Sequence, residues 1–364
     1  MPLSSIFHIR ESKKANRNEL LDFLRGAGML LVVLHHSDIP QGKWILAFHM
    51  PLLFLLSGYT RYLRPQPASM RQFITGRFFR LIVPYFLFEG LNLAVWSGCL
   101  ILQGGWQDLS EAGIAILSCR NTLGYTGYYG RLWFWPCMFV SDILFSGILR
   151  IAPRKEGFRK TFLGAMIVLT LCISWVTCNV LPERLPFTTD TAFMATAFLL
   201  IGYLFGNQIQ WLVEKGHFLA DLCILLISLA AMRHLVLHGQ ISMLMYENQY
   251  GHYANTVLAA CFGMAAFLIL TKWLYTFCSK TGFGKDFVLW YGYNSLCTFP
   301  VHLSIKMFIW EVFPTSFRRW YIQLPAMLLV NIPLVNCISR YFPFLLGSFS
   351  FLRKKSSSKT ECPK

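Results

Sequence analysis

An all-α integral membrane bundle of about ten transmembrane helices is the fold this sequence predicts, on three observations. Hydrophobic residues make up 55% of the chain and charged residues only 14%, the profile of a protein that lives in lipid. Apolar stretches of about 17–25 residues, each long enough to cross a bilayer, recur from end to end. Most of the 33 Lys and Arg residues gather in clusters on alternate connections, as the orientation rule for polytopic chains requires.

The clusters exclude one reading of the net charge of +16. A nucleic-acid partner would need a basic patch or stripe. Here the basic residues lie in Arg10–Arg17, Arg61–Arg80, Arg150–Lys160, Lys272–Lys285 and Arg353–Lys364, which alternate with nearly neutral segments. Both termini are therefore expected in the cytoplasm, with residues 1–19 as a basic N-terminal segment, 20–346 as the membrane domain and 347–364 as a basic tail. The 11 cysteines are scattered without a CxxC pair, so neither a disulfide framework nor a zinc site is expected, and no metal ligand set is read.

The first span, 20–37, has no small-residue cleavage site and is not a removable signal. It carries Asp22 and Arg25 near one end and His35 and His36 near the other. Ionisable groups inside lipid are costly and mark sites. Arg25 and His36 return to nearly the same helix face at ~100° per residue, roughly 16 Å apart along the axis. The second span, 44–63, opens on His49 and Pro51 and reaches Ser57 and Gly58. Pro51 and Gly58 are expected to allow irregular, closely packed backbone there. The intervening hairpin is short, so His49 is expected to approach His36.

Arg77 and Arg80 precede the third span, 81–102, at i and i+3, where two forked donors suit a phosphate or a lipid headgroup. That span holds Glu89 and Asn92, and the fourth, 132–151, holds Asp142. One of these three is expected to balance Arg25 or a histidine. Four apolar spans follow at 161–181, 191–207, 217–237 and 254–275. The ninth, 289–312, contains Asn294, His302 and Lys306, with Glu311 as a candidate acid for the lysine. The tenth runs over 320–346. The longest outer connection, 103–131, is rich in Gly, Trp and Tyr, which suits either sugar stacking or an interfacial belt.

Three classes compete for such a chain. A transporter would often show inverted repeats with broken helices in matching positions, and no such symmetry is visible. A receptor or scaffold has no need for Arg and His on one stripe of its first span. A transferase needs a basic mouth for an anionic donor, a deeper base and an opening for the acceptor on the other side, and this pattern meets those needs. His36 is the catalytic candidate, as general base or as covalent carrier of the transferred group.

At these residues the chain resembles the acyltransferase family 3 of integral membrane proteins, most of all its fucose 4-O-acetylase-type branch. The matching motifs are Arg25 followed by ten residues and His36-Ser37; Phe48-His49-Met50-Pro51 leading to Ser57-Gly58-Tyr59; Arg77-x-x-Arg80 before Pro84-Tyr85; Leu132-Trp133-Phe134; and Asn294-Ser295-Leu296 before His302. One departure is His35, where the family usually has a small residue. The resemblance implies a membrane O-acetyltransferase of the bacterial cytoplasmic membrane, moving acetyl from acetyl-CoA to a hydroxyl of a glycan or lipid-linked sugar. Its alternatives are another acyl group, such as succinyl, or transport of an acylated or anionic substrate. It implies donor contacts at Arg25, Arg77 and Arg80, catalysis at His36, and support from Asp22, His35, His49, Ser57, Glu89 and His302. No permanently bound cofactor is implied, the lipids of the bilayer are partners, and oligomeric state is not legible.

Overall fold

The computed structural model describes residues 18–64, 69–102, 109–119, 132–181 and 183–347. The 103–131 connection thus lies largely outside the described residues, as do both basic termini. Almost everything described is helix: α1 (Glu19–His36), α2 (Gly42–Leu46), α3 (His49–Tyr62), α4 (Met70–Arg77), α5 (Val83–Leu102), α6 (Leu109–Ser118), α7 (Phe134–Ile151), α8 (Glu156–Asn179), α9 (Thr189–Leu204), α10 (Gly206–Gln210), α11 (Phe218–His238), α12 (Tyr253–Thr281), α13 (Lys285–Tyr293), α14 (Ser295–Val312) and α15 (Trp320–Tyr341). A small antiparallel pair, β1 (Ile241–Leu244) and β2 (Gln249–Gly251), joins α11 to α12. The molecule is an all-α polytopic membrane protein.

Among the described residues, seven helical stretches are long and apolar enough to cross a membrane. The three remaining expected spans fall on α1, α3 and α14, and composition explains the shortfall. Helix α1 carries Glu19, Asp22 and Arg25, α3 is 14 residues long, and α14 includes His302, Lys306 and Glu311. These three pack together inside the bundle, α1 against both α3 and α14. The three polar helices, packed on one another through α1, bear the expected site.

Local chemistry sets the ends of α1. Asn18 caps it by accepting from Leu21 N at 3.0 Å, and Glu19 and Asp22 favour its positive N-terminus. At the other end the Ser37 hydroxyl donates to Leu34 O at 2.7 Å, and Asp38 turns the chain at φ 61°. Glycines fix the helix against its neighbour. A Cβ at Gly26 would collide with the Val288 carbonyl of α13, and one at Gly292 with the Asp22 carbonyl of α1. Helix α3 crosses α9 in the same way, through Gly58 against Leu199 and Gly202 against Leu55.

Two backbone expectations change here. Helix α3 is regular throughout, because Pro51 sits in its first turn, where an N–H has no intrahelical partner to lose. Irregularity lies elsewhere: the ninth span breaks at Asn294, between α13 and α14, and the α4–α5 helix runs through a π turn over Phe78–Ile82. Such widened turns recur at functional sites, and this one contains Arg80.

Basic groups collect at one end of the bundle, which holds the start of α1, the end of α3 and the α4–α5 turn. Lys285 Nζ meets Glu19 at 2.6 Å there. The opposite end carries the histidines and the β pair. Arg184 locks that pair down by binding Asp190, Thr191 Oγ1 at 3.2 Å and Tyr246 O at 2.6 Å.

Candidate active site

Four imidazoles form a row at the histidine end. His49 lies beside His35 with ring centroids 4.7 Å apart, His35 beside His36 at 5.5 Å, and His36 beside His302 at 5.2 Å. His49 therefore approaches His35 rather than the expected His36. His35 lies within the row, although its side chain starts ~100° around the helix from that of His36. Among the described residues, no three His, Cys, Asp or Glu side chains form a metal-binding group.

Backbone bonds fix two tautomers. His49 Nδ1 lies 2.9 Å from Ile45 O and His302 Nδ1 3.0 Å from Thr298 O. A carbonyl oxygen only accepts, so each Nδ1 carries the proton and each Nε2 presents a lone pair. His302 and His49 are buried at 0% and 2% exposure, whereas His35 and His36 are half-buried. His36 is thus the reachable imidazole of its pair with His302, and His302 stands behind it.

A polar lid sits beside the row. Lys306 Nζ donates to Asp38 Oδ1 at 2.8 Å, so the lysine's partner is Asp38, in the turn after α1. Glu311, the acid considered from sequence, has a side chain outside those described. Gln323 Nε2 donates to Asp38 Oδ2 at 3.4 Å, and its Oε1 accepts from Trp310 Nε1 at 3.2 Å. The ammonium of Lys306 stands 5.1 Å from the Trp310 ring centroid.

At the basic end, Arg25 binds Asp22 Oδ1 at 3.2 Å and Thr60 Oγ1 at 2.5 Å, tying α1 to α3. Arg77 Nε meets Asp142 Oδ2 at 3.0 Å, with that carboxylate only 1% exposed. Arg61 donates to Ser146 Oγ at 3.3 Å, and its guanidinium stands 4.4 Å from the centre of the Phe73 ring. Arg77 stands 5.5 Å from the same ring. Arg80 follows Arg77 by three residues on the same helix and is exposed. Several guanidiniums thus gather near one buried carboxylate, and Arg77 is in direct contact with it.

The other expected groups bind elsewhere. Asp142 serves the arginine mouth rather than Arg25 or a histidine. Glu89 accepts from Leu132 N at 3.1 Å, where the chain turns into α7, and Asn92 accepts from Ser304 Oγ at 2.9 Å. Ser57 donates to Leu53 O of its own helix at 2.9 Å, about two turns from His49, so it does not join the row.

Sequence reading passed over Arg61, Thr60, Asp38 and Gln323. Arg61 had a usable signal: α3 runs antiparallel to α1 and has His49 at one end and Arg61 at the other, mirroring His36 and Arg25. The remaining three had none, since their partners lie far away in sequence or on another helix. Comparison with protein-family models finds one match, to an acyltransferase domain of family 3, over residues 18–349. No curated protein and no solved structure matches the chain.

Proposed function

Because the chain belongs to acyltransferase family 3, a family of membrane acyltransferases, we propose that it moves acetyl from cytoplasmic acetyl-CoA to a hydroxyl of a cell-surface or exported glycan. The observation that carries the proposal is the distribution of groups along α1. Arg25, Arg61, Arg77 and Arg80 lie toward one end, and the half-buried His36, with His302 5.2 Å from it, lies at the other.

Arg77 and Arg80 hold the donor phosphates, joined by Arg61, with Arg25 farther along the path. The axial separation of Arg25 and His36, roughly 16 Å, matches an extended pantetheine arm, so the thioester arrives beside His36. The acceptor comes from the opposite end, past Asp38, Lys306 and Gln323, with Trp310 as an aromatic face for a sugar ring. His36 takes the proton of the acceptor hydroxyl as its oxygen attacks the thioester carbon. The carbon–sulfur bond breaks, and the proton passes to the departing thiolate. The resemblance of the motifs to the fucose 4-O-acetylase-type branch, with the Trp- and Tyr-rich sequence of the 103–131 connection, supports a sugar acceptor. On this reading the basic end faces the cytoplasm of a bacterial inner membrane.

Mass spectrometry of surface glycans from cells with and without the protein tests the reaction. Loss of one acetyl group at a defined sugar position is the expected result, and identical glycans would reject it. Titration of CoA against Arg80→Ala in detergent tests the donor site, where weaker binding by a monodisperse protein is expected. Labelling of cysteines introduced in the tail and in the 103–131 connection tests orientation, and finding both on one side would overturn it.

A further inference from the structure

We infer that His302 is a positioning residue that accepts a hydrogen bond from His36 and fixes which nitrogen of His36 faces the substrates. The inference rests on the acyl-transfer reading and adds a second imidazole to its chemistry.

Three observations carry it. His302 is fully buried, at 0% exposure, so substrate reaches His36 first. Its Nδ1–H is committed to Thr298 O at 3.0 Å, so Nε2 has only a lone pair to offer. That Nε2 is buried without a hydrogen-bond partner, a costly state that points to a donor that engages during function.

His36 is that donor. Its ring centroid lies 5.2 Å from that of His302, with the planes 47° apart. Rotating the His36 ring brings an N–H onto His302 Nε2 without moving either helix, and catalytic hydrogen bonds commonly tighten in this way when substrate binds. Of its other neighbours, Lys306, four residues along α14, donates to Asp38 Oδ1, and Phe299, edge-on at 5.9 Å, has no donor to offer.

The pair then works as a base and its orienter. With one His36 nitrogen donating to His302, the other holds a lone pair toward the acceptor hydroxyl. When His36 takes the hydroxyl proton it becomes an imidazolium whose second N–H is already bonded to a neutral acceptor. The ester C–O bond forms, the thioester C–S bond breaks, and the imidazolium returns its proton to the CoA thiolate. A buried carboxylate performs the same service for histidine in hydrolase triads. A neutral imidazole does so here without placing a net negative charge in a lipid-embedded site.

Two replacements at one position separate this role from a structural one. In His302→Asn the amide nitrogen stands near the place of Nδ1 and keeps the bond to Thr298 O, but nothing replaces Nε2. In His302→Gln the amide oxygen reaches the place of Nε2 and can still accept from His36. Acetyl-CoA turnover with acceptor is measured for both in detergent, together with CoA affinity and Tm. The expected result is a kcat loss of about 100-fold in His302→Asn, CoA affinity within about twofold, and partial recovery in His302→Gln. An Asn variant as active as wild type would reduce His302 to a structural role. Equal loss in both would make His302 the proton acceptor itself and overturn the orienting role.

Nitrogen-15 NMR of labelled histidine supplies a readout that needs no turnover. With acetyl-CoA bound and no acceptor, His36 should show one fixed tautomer in the wild type and a mixture in His302→Asn. Unchanged tautomer populations would reject the inference even with transfer intact. A fixed tautomer in a protein that transfers no acyl group would instead reject the reaction.

Discussion

The two ends of α1 handle buried polarity in opposite ways. At the basic end, permanent charges are compensated by other charges: Arg25 by Asp22 and Arg77 by Asp142. At the histidine end, ion pairs such as Lys306–Asp38 flank a row of imidazoles that can be neutral, and His49 and His302 in that row are held by backbone carbonyls. A guanidinium cannot shed its proton, so burying one requires an anion. An imidazole can shed its proton, so a carbonyl suffices to aim it. On the proposed function, one end exchanges anionic partners and the other moves protons.

Replacing His36 tests the proton-moving end most severely. His36→Ala should lower acyl transfer by about 10²–10⁴-fold with CoA affinity retained, as measured by thioester turnover beside a CoA titration. Comparable activity in the variant would mean that the two ends do not divide the work in this way. Next comes the scaffold that holds both ends. Gly58→Ala forces a methyl group into the Leu199 carbonyl, and it should cost about 1–3 kcal/mol, read as a lower Tm in detergent.

The exchanging end is tested by a pair of opposite changes. Arg77→Ala should weaken CoA binding about tenfold. Asp142→Asn removes the carboxylate that competes for Arg77 and should tighten binding about two- to fivefold, with lower thermal stability. If both variants weaken binding, Asp142 shapes the donor site instead of competing within it. The smallest effect belongs to His35→Ala, which should keep turnover within about tenfold of wild type, because His36 and His302 touch without it. A dead His35 variant beside a working His36 variant would move the chemistry one residue along α1.

What the sequence made legible follows from local periodicity. Helix α1 could be read because the spacing of Arg25 and His36 is a property of one helix. The seven largely apolar helical stretches could be read because each announces itself by composition. The pairing of Lys306 with Asp38 could not, since it joins residues 268 apart, and a nearer acid, Glu311, offered itself first. The pairing of Arg77 with Asp142 was hidden for the same reason, and that of His49 with His35 depends on how α2 steers the chain into α3. The break at Asn294 also escaped notice, because an apolar run reads as continuous even where its helix stops.

The contact of Gly26 and Gly292 has a consequence for substrate length. Backbone touches backbone there, so α1 cannot slide along α13 without losing that fit. On the proposed function, this fixes His36 along the bundle, so that the thioester meets it at one depth whatever acyl group it carries. Extra carbons on a proposed acyl donor would then meet Phe299, which packs beside His302 and against Phe134, the two Phe rings 5.2 Å apart. Re-engineering the enzyme for a bulkier acyl group is a matter of carving at those two rings while leaving the arginines untouched.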